Sequence, residues 1–317
     1  MTSKDNKYFL IVLPFFNESE LIIELLNLLE NKISKLKDHY KLLFVNDGST
    51  DNGAQLIEKH NFKSQNISKE LIELNSNSGH QNAIRQGIIY AKQNHLDKCK
   101  GIIIMDSDGE DNPDAIAELA NKKNYDVVFV TRGKRKENLT FKISYFFYKI
   151  LFKIVTGKKI NFGNYALISP KVLNSIAEKH FFHFSSFLSK QRFNIEYIQY
   201  DRNKRLKGKT KMGFKNLLIH ALKSFIEYHE ELIYFQIKVF IVMILTFGSI
   251  SGYILYAKYY AHTALIGWSS TLIIGLINGI LIMFSSIIIS TLLMTLKNAM
   301  DQKNIYYKTN ENKNDLT

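Results

Sequence analysis

Four carboxylates stand close together in the segment "MDSDGED", directly after a run of apolar residues. Asp106, Asp108, Glu110 and Asp111 are gathered here although the whole chain carries a net charge of +13. Asp106 and Asp108 are two residues apart, so on an extended strand end they share a face, and a following turn can bring Asp111 near them. Carboxylates this close favour a hard cation such as Mg²⁺ or Mn²⁺, which can in turn bridge a diphosphate. Taken alone, the segment is more typical of a solvated acidic turn, and we expect Glu110 to be solvated.

A second polar segment, "NDGSTD", also follows an apolar run. Asp47 can accept a hydrogen bond from a base or a ribose hydroxyl, Gly48 allows a tight turn, and Ser49 or Thr50 can cap the next helix. This segment alone is equally typical of an ordinary capped turn. Two further polar segments, "PFFNE" and "NSNSGHQNA", occur in the same position after apolar runs, and this recurrence favours a binding site.

The elements that would position these segments alternate along the first part of the chain. Short apolar runs rich in β-branched residues predict buried parallel strands at 8–13, 41–46, 70–74, 101–106 and 126–131. Amphipathic segments predict helices at 18–32, 51–60, 81–94 and 113–122. This alternation predicts an α/β fold with a doubly wound, mostly parallel sheet. Ligands bind at the carboxyl ends of such strands, where the polar segments would converge.

The three prolines fall where this interpretation needs a turn or a helix start. We expect Pro14 just past the first strand. We expect Pro113 and Pro170 at first helical positions, where the missing N–H costs nothing, after Asn112 and Ser169 as capping residues.

Two long uncharged stretches follow, 239–257 and the residues after Lys258 up to 296. Each is long enough to cross a hydrocarbon core of about 30 Å, so we predict transmembrane helices at 233–257 and 264–296. The alternative is a buried helical hairpin in a soluble domain. The first residues have too short an apolar run for a signal peptide.

Basic residues set the predicted orientation, because they crowd the cytoplasmic side of membrane proteins. Lysines occur before the first span and in the tail, whereas the linking segment "KYYAHT" carries only Lys258. We therefore expect both termini and the large N-terminal part on the cytoplasmic side of the cell membrane. The lone Cys99 fits a reducing compartment. The positive charge then favours anionic lipid headgroups and phosphorylated substrates as partners, not nucleic acid.

These boundaries divide the chain into a cytoplasmic domain at 1–212, a juxtamembrane amphipathic helix at 213–232, the two spans and a cytoplasmic tail at 297–317. Within the first domain, residues 141–156 combine Lys142, Lys149 and Lys153 with aromatic and aliphatic residues. This pattern predicts a helix lying in a membrane interface, with a core helix edged by lysines as the alternative. The last dozen residues are expected to be disordered.

Several motifs together resemble the inverting GT-A glycosyltransferases of family 2. They are Asn17-Glu18 after the first strand, "VNDGSTD" after the second, "NSGHQNAIRQG" before the next helix, and the Asp-x-Asp of the fourth strand. "TRGKR", "FGNYALIS", "YDRNKRLKGKTKMGF" and the two-span anchor are similar to the polyprenyl-phosphate glycosyltransferases, relatives of dolichol-phosphate mannose synthase. The resemblance covers about 8–296.

The resemblance assigns roles to particular residues. It implies that the nucleotide is held by Pro14, Asn17, Glu18, Asp47 and Asp106. It implies that Asp106 and Asp108 hold Mg²⁺ or Mn²⁺ with the diphosphate and act with Arg132 in catalysis. It implies that the phosphate of the lipid acceptor is received by Arg132, Arg135, Arg202, Arg205 and Lys211. Forked Arg donors and mobile Lys charges suit a phosphate, although the same basic segment could touch only anionic headgroups.

The chain departs from the family pattern in two places. Gly109 and Asn112 stand where relatives have a leucine and prolines, so we expect a looser loop. Where many members have Gly-Asp-Phe, Asn164 replaces the aspartate, and an amide cannot act as a base. A phosphate acceptor needs no base, because a phosphate monoester is largely ionised near neutral pH. His80 and His183 are the nearest candidates for a base, and we interpret both as structural.

These observations predict inverting transfer of a sugar from a nucleotide diphosphate sugar to undecaprenyl or dolichyl phosphate, for cell-envelope glycan or glycoconjugate modification. One alternative is the same fold acting on another glycolipid or a surface polysaccharide. Two others are a non-catalytic membrane subunit and a membrane-surface binding module. The only Trp, Trp268, lies at the second span, which argues against the Gln-x-x-Arg-Trp motif of processive synthases. The sequence leaves open the donor's sugar and base and whether the chain forms a homo-oligomer.

Overall fold

The structure is a computed structural model that describes residues 7–132, 139–158, 162–203, 223–260, 268–300 and 307–309. Its strands are β1 (Tyr8–Phe15), β2 (His39–Asn46), β3 (Ile67–Leu74), β4 (Cys99–Ile104), β5 (Val127–Arg132), β6 (Phe162–Ile168), β7 (Ile195–Tyr200) and β8 (Tyr307–Thr309). Its helices are α1 (Ser19–Ile33), α2 (Gly53–Lys59), α3 (His80–His95), α4 (Ala115–Asn121), α5 (Leu139–Thr156), α6 (Pro170–Ile176), α7 (Phe184–Lys190), α8 (His229–Tyr259) and α9 (Trp268–Met300).

The described strands form one sheet in the order β7-β5-β6-β4-β1-β2-β3-β8. The strands β3, β2, β1 and β4 run parallel, as do β5 and β7. β6 is antiparallel to both β4 and β5, and β8 is antiparallel to β3. The predicted mostly parallel α/β sheet is confirmed, with the antiparallel β6 added between β4 and β5.

The sheet is buried on both faces, which explains why its central strands read as continuous apolar runs. On one face Ile11 and Leu13 of β1 belong to a core shared with α1, α2 and α4. On the other face Leu10 and Val12 belong to a core shared with α3, α6 and α7. Helix α3 lies so close to β1 that a Cβ at Gly87 would stand 2.5 Å from Val12 Cγ1.

Two of the three expectations about prolines are wrong. Pro14 lies inside β1, paired with Val45, and not past its end. Proline has no backbone N–H to donate to a neighbouring strand. The N–H and C=O of one strand residue point to the same side, and the carbonyl of Pro14 accepts a hydrogen bond from Ser107 Oγ at 2.8 Å, beyond the last residue of β4. The missing N–H therefore faces a position where β4 has already ended, and no ladder bond is lost. Pro113 lies in the turn before α4, which begins at Ala115. Pro170 does begin α6, and Ser169 accepts the hydrogen bond of the Val172 N–H, as expected.

The tail returns to the sheet at Tyr307–Thr309, where disorder was expected. There β8 pairs with the last residues of β3, with Lys308 opposite Glu73. Without β8 the N–H and C=O groups along this side of β3 would be an exposed sheet edge, so strand addition satisfies them. The expectation of disorder is therefore wrong for these residues.

The chain divides into two units. The first contains the sheet, and the second contains residues 148–159 together with α8 and α9. Helix α5 confirms the helix predicted at 141–156. Phe152 of α5 is buried, edge-on to Tyr228 at 5.2 Å, whereas Leu151 and Ile154 are exposed. This exposed apolar face is compatible with the predicted interfacial helix, which stays a prediction.

Helices α8 and α9 are candidate membrane spans by length and apolar composition. Helix α8 has 31 residues, which is about 46 Å at the usual rise per residue and more than a hydrocarbon core requires. The two helices pack on each other, with Gln236 Nε2 donating to Ser286 Oγ at 3.0 Å. Residues 213–222 of the predicted juxtamembrane helix and residues 264–267 of the second predicted span lie outside the described residues. Residues 229–232, predicted to be juxtamembrane, belong to α8.

Candidate active site

The carboxyl ends of four parallel strands meet at one edge of the sheet. In the strand register Phe15 of β1 stands opposite Asn46 of β2, Asn46 opposite Glu73 of β3, and Val12 opposite Ile104 of β4. The segments that follow are the β1–α1 loop (16–18), the β2–α2 loop (47–52), the β3–α3 loop (75–79) and the carboxylate loop (105–114). The convergence predicted from the sequence is therefore present.

Asn17 joins the first two of these loops. Its Oδ1 accepts hydrogen bonds from the backbone N–H groups of Thr50, at 2.8 Å, and Asp51, at 3.3 Å, and its own N–H donates to Ser49 Oγ at 3.0 Å. Its φ of 52° lies in the left-handed region that asparagine tolerates. Ser49 and Thr50 were expected to cap α2. Instead Asp51 Oδ1 accepts the Gly53 N–H, at 3.1 Å.

Asp47 joins the β2–α2 loop to the β3–α3 loop. Its Oδ1 accepts hydrogen bonds from Ser78 N at 2.8 Å and Ser78 Oγ at 2.9 Å, while Oδ2 accepts one from Gly79 N at 2.9 Å. The residue is only 2% exposed. Gly48 allows this approach, because at its φ of 68° a Cβ would lie 2.6 Å from the backbone N of Asn77. The Asp47 contacts described here are made within the chain, and its contact with a nucleoside stays a prediction.

The carboxylate loop is closed by its own side chains. Asp111, which is buried, accepts a hydrogen bond from the Asp106 N–H through Oδ2, at 2.9 Å. Asp108 Oδ1 accepts one from the Glu110 N–H at 3.0 Å, and Gly109 turns the chain at a φ of 76°. Asp111 therefore has a definite role: it fixes the backbone at Asp106, the first of the two predicted metal ligands.

Further contacts hold the end of the carboxylate loop. Tyr165 donates its hydroxyl to the carbonyl of Asn112 at 3.1 Å, and Asn112 Nδ2 donates to the carbonyl of Asp201 at 3.4 Å. Burial, followed by the charge of Asp111, raises the pKa of Tyr165 well above its usual range, so the phenol stays a donor. The looser loop expected from Gly109 and Asn112 is thus replaced by a loop anchored through hydrogen bonds.

Glu110 is not simply solvated, contrary to our expectation. It forms an ion pair with Arg202, and both side chains are less than one fifth exposed. The loop after β7 is fixed further by the Asn203 N–H, which donates to the carbonyl of Glu110 at 2.9 Å. The expectation failed because Arg202 is distant in the sequence, and only the fold brings it beside the carboxylate loop.

The charges around Asp108 suit a cation. Burial, and after it the charge of Asp106, raises the pKa of Asp108, while the Glu110 N–H and the Arg202 charge act in the opposite direction. A divalent cation would remove the repulsion between the two carboxylates, whose oxygens are the ligands that Mg²⁺ and Mn²⁺ prefer. Among the described residues, no group of three His, Cys, Asp or Glu side chains could hold a metal by itself.

His80 lies in the site, although we interpreted it as structural. Its Nε2 is 3.1 Å from Asp106 Oδ1, and its side chain is 43% exposed. Burial lowers the pKa of His80, but the charges of Asp106, Asp108 and Asp111 outweigh it and raise this pKa. Asn164 Nδ2 lies 3.2 Å from the same ring nitrogen, so Asn164 does act through hydrogen bonds, as expected for an amide.

His183, by contrast, fits the structural interpretation. It is buried at the N-terminus of α7, where its Nδ1 accepts a hydrogen bond from the Ser186 N–H at 3.2 Å. This contact satisfies one of the free N–H groups of the helix end. Capping accounts for the residue without any role in chemistry.

The structure describes some of the remaining predicted site residues and not others. Pro14 lies in β1, and Glu18 is the residue before α1. Arg132 is the last residue of β5, and its side chain lies outside the described part of the structure. Of the other predicted phosphate-binding residues, Arg202 is described and pairs with Glu110. The remaining three lie outside the described residues: Arg135, Arg205 and Lys211.

The sequence reasoning missed Gln81. It is buried beside His80 and connects Asn164 to the N-terminus of α7 through its amide group. The only local signal was a polar residue in the first turn of α3, where its neighbours His80 and Asn82 are polar as well. That signal is weak, because polar residues in a first turn are usually solvated.

Comparison with known proteins agrees with this geometry. Residues 10–187 match the model of Glycosyl transferase family 2. The uncharacterized glycosyltransferase YkcC of Bacillus subtilis is 30% identical over 287 residues, which cover 88% of this chain and 86% of that protein. An undecaprenyl-phosphate 4-deoxy-4-formamido-L-arabinose transferase of Pseudomonas fluorescens is 33% identical over 132 residues, covering 40% and 36%.

Among solved structures, glucosyl-3-phosphoglycerate synthase from Mycobacterium tuberculosis, in complex with Mn²⁺, uridine diphosphate and glucosyl-3-phosphoglycerate, has a TM-score of 0.51 and 13% identity. It covers 72% of this chain and 81% of that one. At this identity the likeness shows a shared fold. Since the family model covers more than half of the chain, and a relative with 30% identity matches nearly all of it, the chain is a glycosyltransferase and belongs to glycosyl transferase family 2.

Proposed function

We propose that this protein transfers a sugar, with inversion, from a nucleotide diphosphate sugar to a polyprenyl phosphate at the cytoplasmic face of the cell membrane. The observation that carries the proposal is the pair Asp106 and Asp108 at the end of β4, beside three other polar strand ends, in a chain that also has two candidate membrane spans. A relative named for an undecaprenyl-phosphate reaction supports the acceptor.

Donor binding is assigned to the loops after β1, β2 and β4. Pro14, Asn17, Glu18 and Asp47 would hold the nucleoside, with Asp106 next to it. Asp106 and Asp108 would hold Mg²⁺ or Mn²⁺, which when bound neutralises charge on the diphosphate leaving group. The Mn²⁺ in the related solved structure supports this choice.

Acceptor binding is assigned to basic residues near the ends of β5 and β7. Arg132, Arg135, Arg202, Arg205 and Lys211 would receive the acceptor phosphate and hold it in line with the anomeric carbon. The phosphate is already an anionic nucleophile at neutral pH, so no side chain has to remove a proton from it. This agrees with an amide at Asn164, the position where many relatives carry an aspartate.

The membrane arrangement is part of the proposal. Residues 1–212 form the cytoplasmic catalytic domain, 141–156 lie in the membrane interface, and 213–232 lead into spans at 233–257 and 264–296. Residues 297–317 then lie on the cytoplasmic side. The apolar length of α8 and α9 supports two spans, and the lysines at both ends support this orientation.

Reconstitution tests the function directly. We would place the full chain in vesicles containing undecaprenyl phosphate, add Mg²⁺ or Mn²⁺ with a panel of UDP- and GDP-sugars, and identify the lipid product by mass spectrometry. We expect a glycosyl-phosphoryl lipid with an inverted anomeric centre. Asp108→Asn should lower its formation about 100-fold or more, because it removes a charge that acts on the leaving group. Asp97→Asn, an exposed aspartate remote from the carboxylate loop in sequence, is the matched control.

Three results would contradict the proposal. The first is nucleotide release at the same rate without the lipid phosphate. The second is a product with retained configuration. The third is full activity of Asp108→Asn in the presence of chelator. A product formed only on another glycolipid would support the alternative acceptor class instead.

A further inference from the structure

A chain of side-chain contacts runs from the N-terminus of α7 to the carboxylate of Asp106. The Phe184 N–H donates to Gln81 Oε1 at 2.6 Å, and Gln81 Nε2 donates to Asn164 Oδ1 at 3.3 Å. Asn164 Nδ2 lies 3.2 Å from His80 Nε2, which lies 3.1 Å from Asp106 Oδ1. Gln81 and Asn164 are both buried, so water does not readily replace these contacts.

The order of donors and acceptors in this chain is set at its α7 end. A backbone N–H can only donate, so it fixes the oxygen of Gln81 toward Phe184 and the amide nitrogen toward Asn164. That nitrogen in turn fixes the oxygen of Asn164 toward Gln81 and its Nδ2 toward His80. One backbone group therefore determines the orientation of two amides, although either amide alone would be ambiguous.

The α7 end is itself anchored. The carboxylate of Glu227, 1% exposed, accepts hydrogen bonds from the backbone N–H groups of Phe182 and of His183, the latter at 3.1 Å. His183 then caps α7. These contacts hold the backbone at Phe184, and Glu227 stands two residues before α8.

His80 Nε2 joins the end of this chain of contacts to the site, because Asn164 Nδ2 and Asp106 Oδ1 are both its neighbours. Since the amide of Asn164 is fixed from the α7 end, it limits where the His80 ring can lie beside Asp106.

We propose that Gln81, Asn164 and His80 are positioning residues that keep the Asp106 carboxylate oriented for its ligand, with Glu227 as the anchor of their chain of contacts. In this arrangement Asn164 fixes the position of the His80 ring, and the ring in turn lies against the Asp106 carboxylate. The inference rests on the role proposed above for Asp106. Outer contacts of this kind orient the groups that bind an ion.

The sharpest perturbation is Gln81→Glu, which has nearly the same shape. The carboxylate of this variant can still accept from Phe184, but it now presents an oxygen to Asn164. Two oxygens then face each other, so Asn164 has to reverse its amide or move away, and the position of the His80 ring beside Asp106 should change with it. Asn82→Asp is the control, because it adds the same charge one residue along α3 without entering the chain of contacts.

Two measurements would be made on the full chain in detergent. Mn²⁺ affinity would be followed by electron paramagnetic resonance with the metal alone and with UDP or GDP added, and transfer would be followed with the vesicle assay. We expect Gln81→Glu to weaken Mn²⁺ binding and lower kcat by about 10- to 100-fold, with the KM for the lipid unchanged. The control should leave all three unchanged.

A double-mutant cycle with His80→Ala separates positioning from general structural support. Because the proposed path passes through His80, Gln81→Glu should have little further effect in the His80→Ala background. His80 is partly exposed, so its alanine variant is expected to fold, and thermal unfolding of every variant checks this. Additive effects in the cycle, or an unchanged Mn²⁺ affinity in a folded Gln81→Glu variant, would overturn the inference.

The two proposals fail in different ways. If the wild type binds Mn²⁺ with the expected variant pattern but transfers no sugar to the lipid, the proposed reaction is wrong and the positioning role stands. If the lipid product forms and Gln81→Glu matches the wild type in both measurements, the positioning role is wrong and the reaction stands.

Discussion

Replacing Asp47 by asparagine should loosen the β3–α3 loop selectively. The carboxylate makes three hydrogen bonds to Ser78 and Gly79, each between 2.8 and 2.9 Å. In Asp47→Asn one oxygen can still accept both bonds from Ser78, but an NH₂ group then faces the Gly79 N–H. One hydrogen bond to a charged group is lost, which costs about 1.5–3 kcal/mol, and a buried N–H is left without an acceptor.

The expected loss is therefore about 2 kcal/mol or more in the free energy of opening this loop. Since about 1.4 kcal/mol corresponds to a tenfold change, the loop amides should exchange with solvent at least about 30-fold faster. Hydrogen exchange followed by mass spectrometry on a peptide covering 75–79 measures this directly. Donor affinity should fall as well, because the same loop borders the proposed nucleotide site.

The control for this prediction is Asp97→Asn, which changes an exposed aspartate at a turn before β4. It should leave exchange in 75–79 unchanged. If Asp47→Asn exchanges in 75–79 at the wild-type rate, the described hydrogen bonds do not hold the loop. Uniformly faster exchange over the whole sheet would equally refute a local effect.

Two further predictions concern the support of the sheet. Gly48→Ala should lower the melting temperature more than Gly157→Ala. Both glycines have a positive φ, but only a Cβ at Gly48 would lie 2.6 Å from the backbone of the β3–α3 loop. Equal shifts of the melting temperature in differential scanning fluorimetry would contradict this. At Glu70, burial opposes ionisation but is outweighed by contacts with His95 and Tyr90, which lower the pKa from 4.5 to about 2. This stabilisation is complete above pH 4.5 and is lost as the pH falls toward about 2, so Glu70→Gln should lower the melting temperature near neutral pH and have little effect at the acid end. A melting-temperature difference that is constant over this range would refute the assignment.

Much of the fold was predictable because it depends on local patterns. The strands beginning near Tyr8 and Lys41 are buried on both faces, and such burial leaves continuous apolar runs that are legible in the sequence. Their ends and the helix starts were less exact, as Pro14 and Pro113 show. A proline tolerates both a strand whose neighbour has ended and a turn before a helix, so its presence does not choose between them.

The candidate site was predictable at the level of which segments converge. Parallel strands place their carboxyl ends at one edge, so the position of Asp106 and Asp108 followed from strand order alone. The partners of these residues did not follow. Glu110 was expected to be solvated and is paired with Arg202, and His80 was expected to be structural and lies against Asp106.

The sequence by itself determined the α/β class, the carboxylate pair at the end of β4 and two helices with the length and apolar composition of membrane spans, because each depends on periodicity or composition within a short stretch. The tertiary structure alone decided the antiparallel β6, the return of Tyr307–Thr309 to the edge of β3, and the contacts from Glu227 through Gln81 to Asp106. These features join residues far apart along the chain, and no local pattern encodes which distant partners the packing of the sheet and helices brings within hydrogen-bond distance.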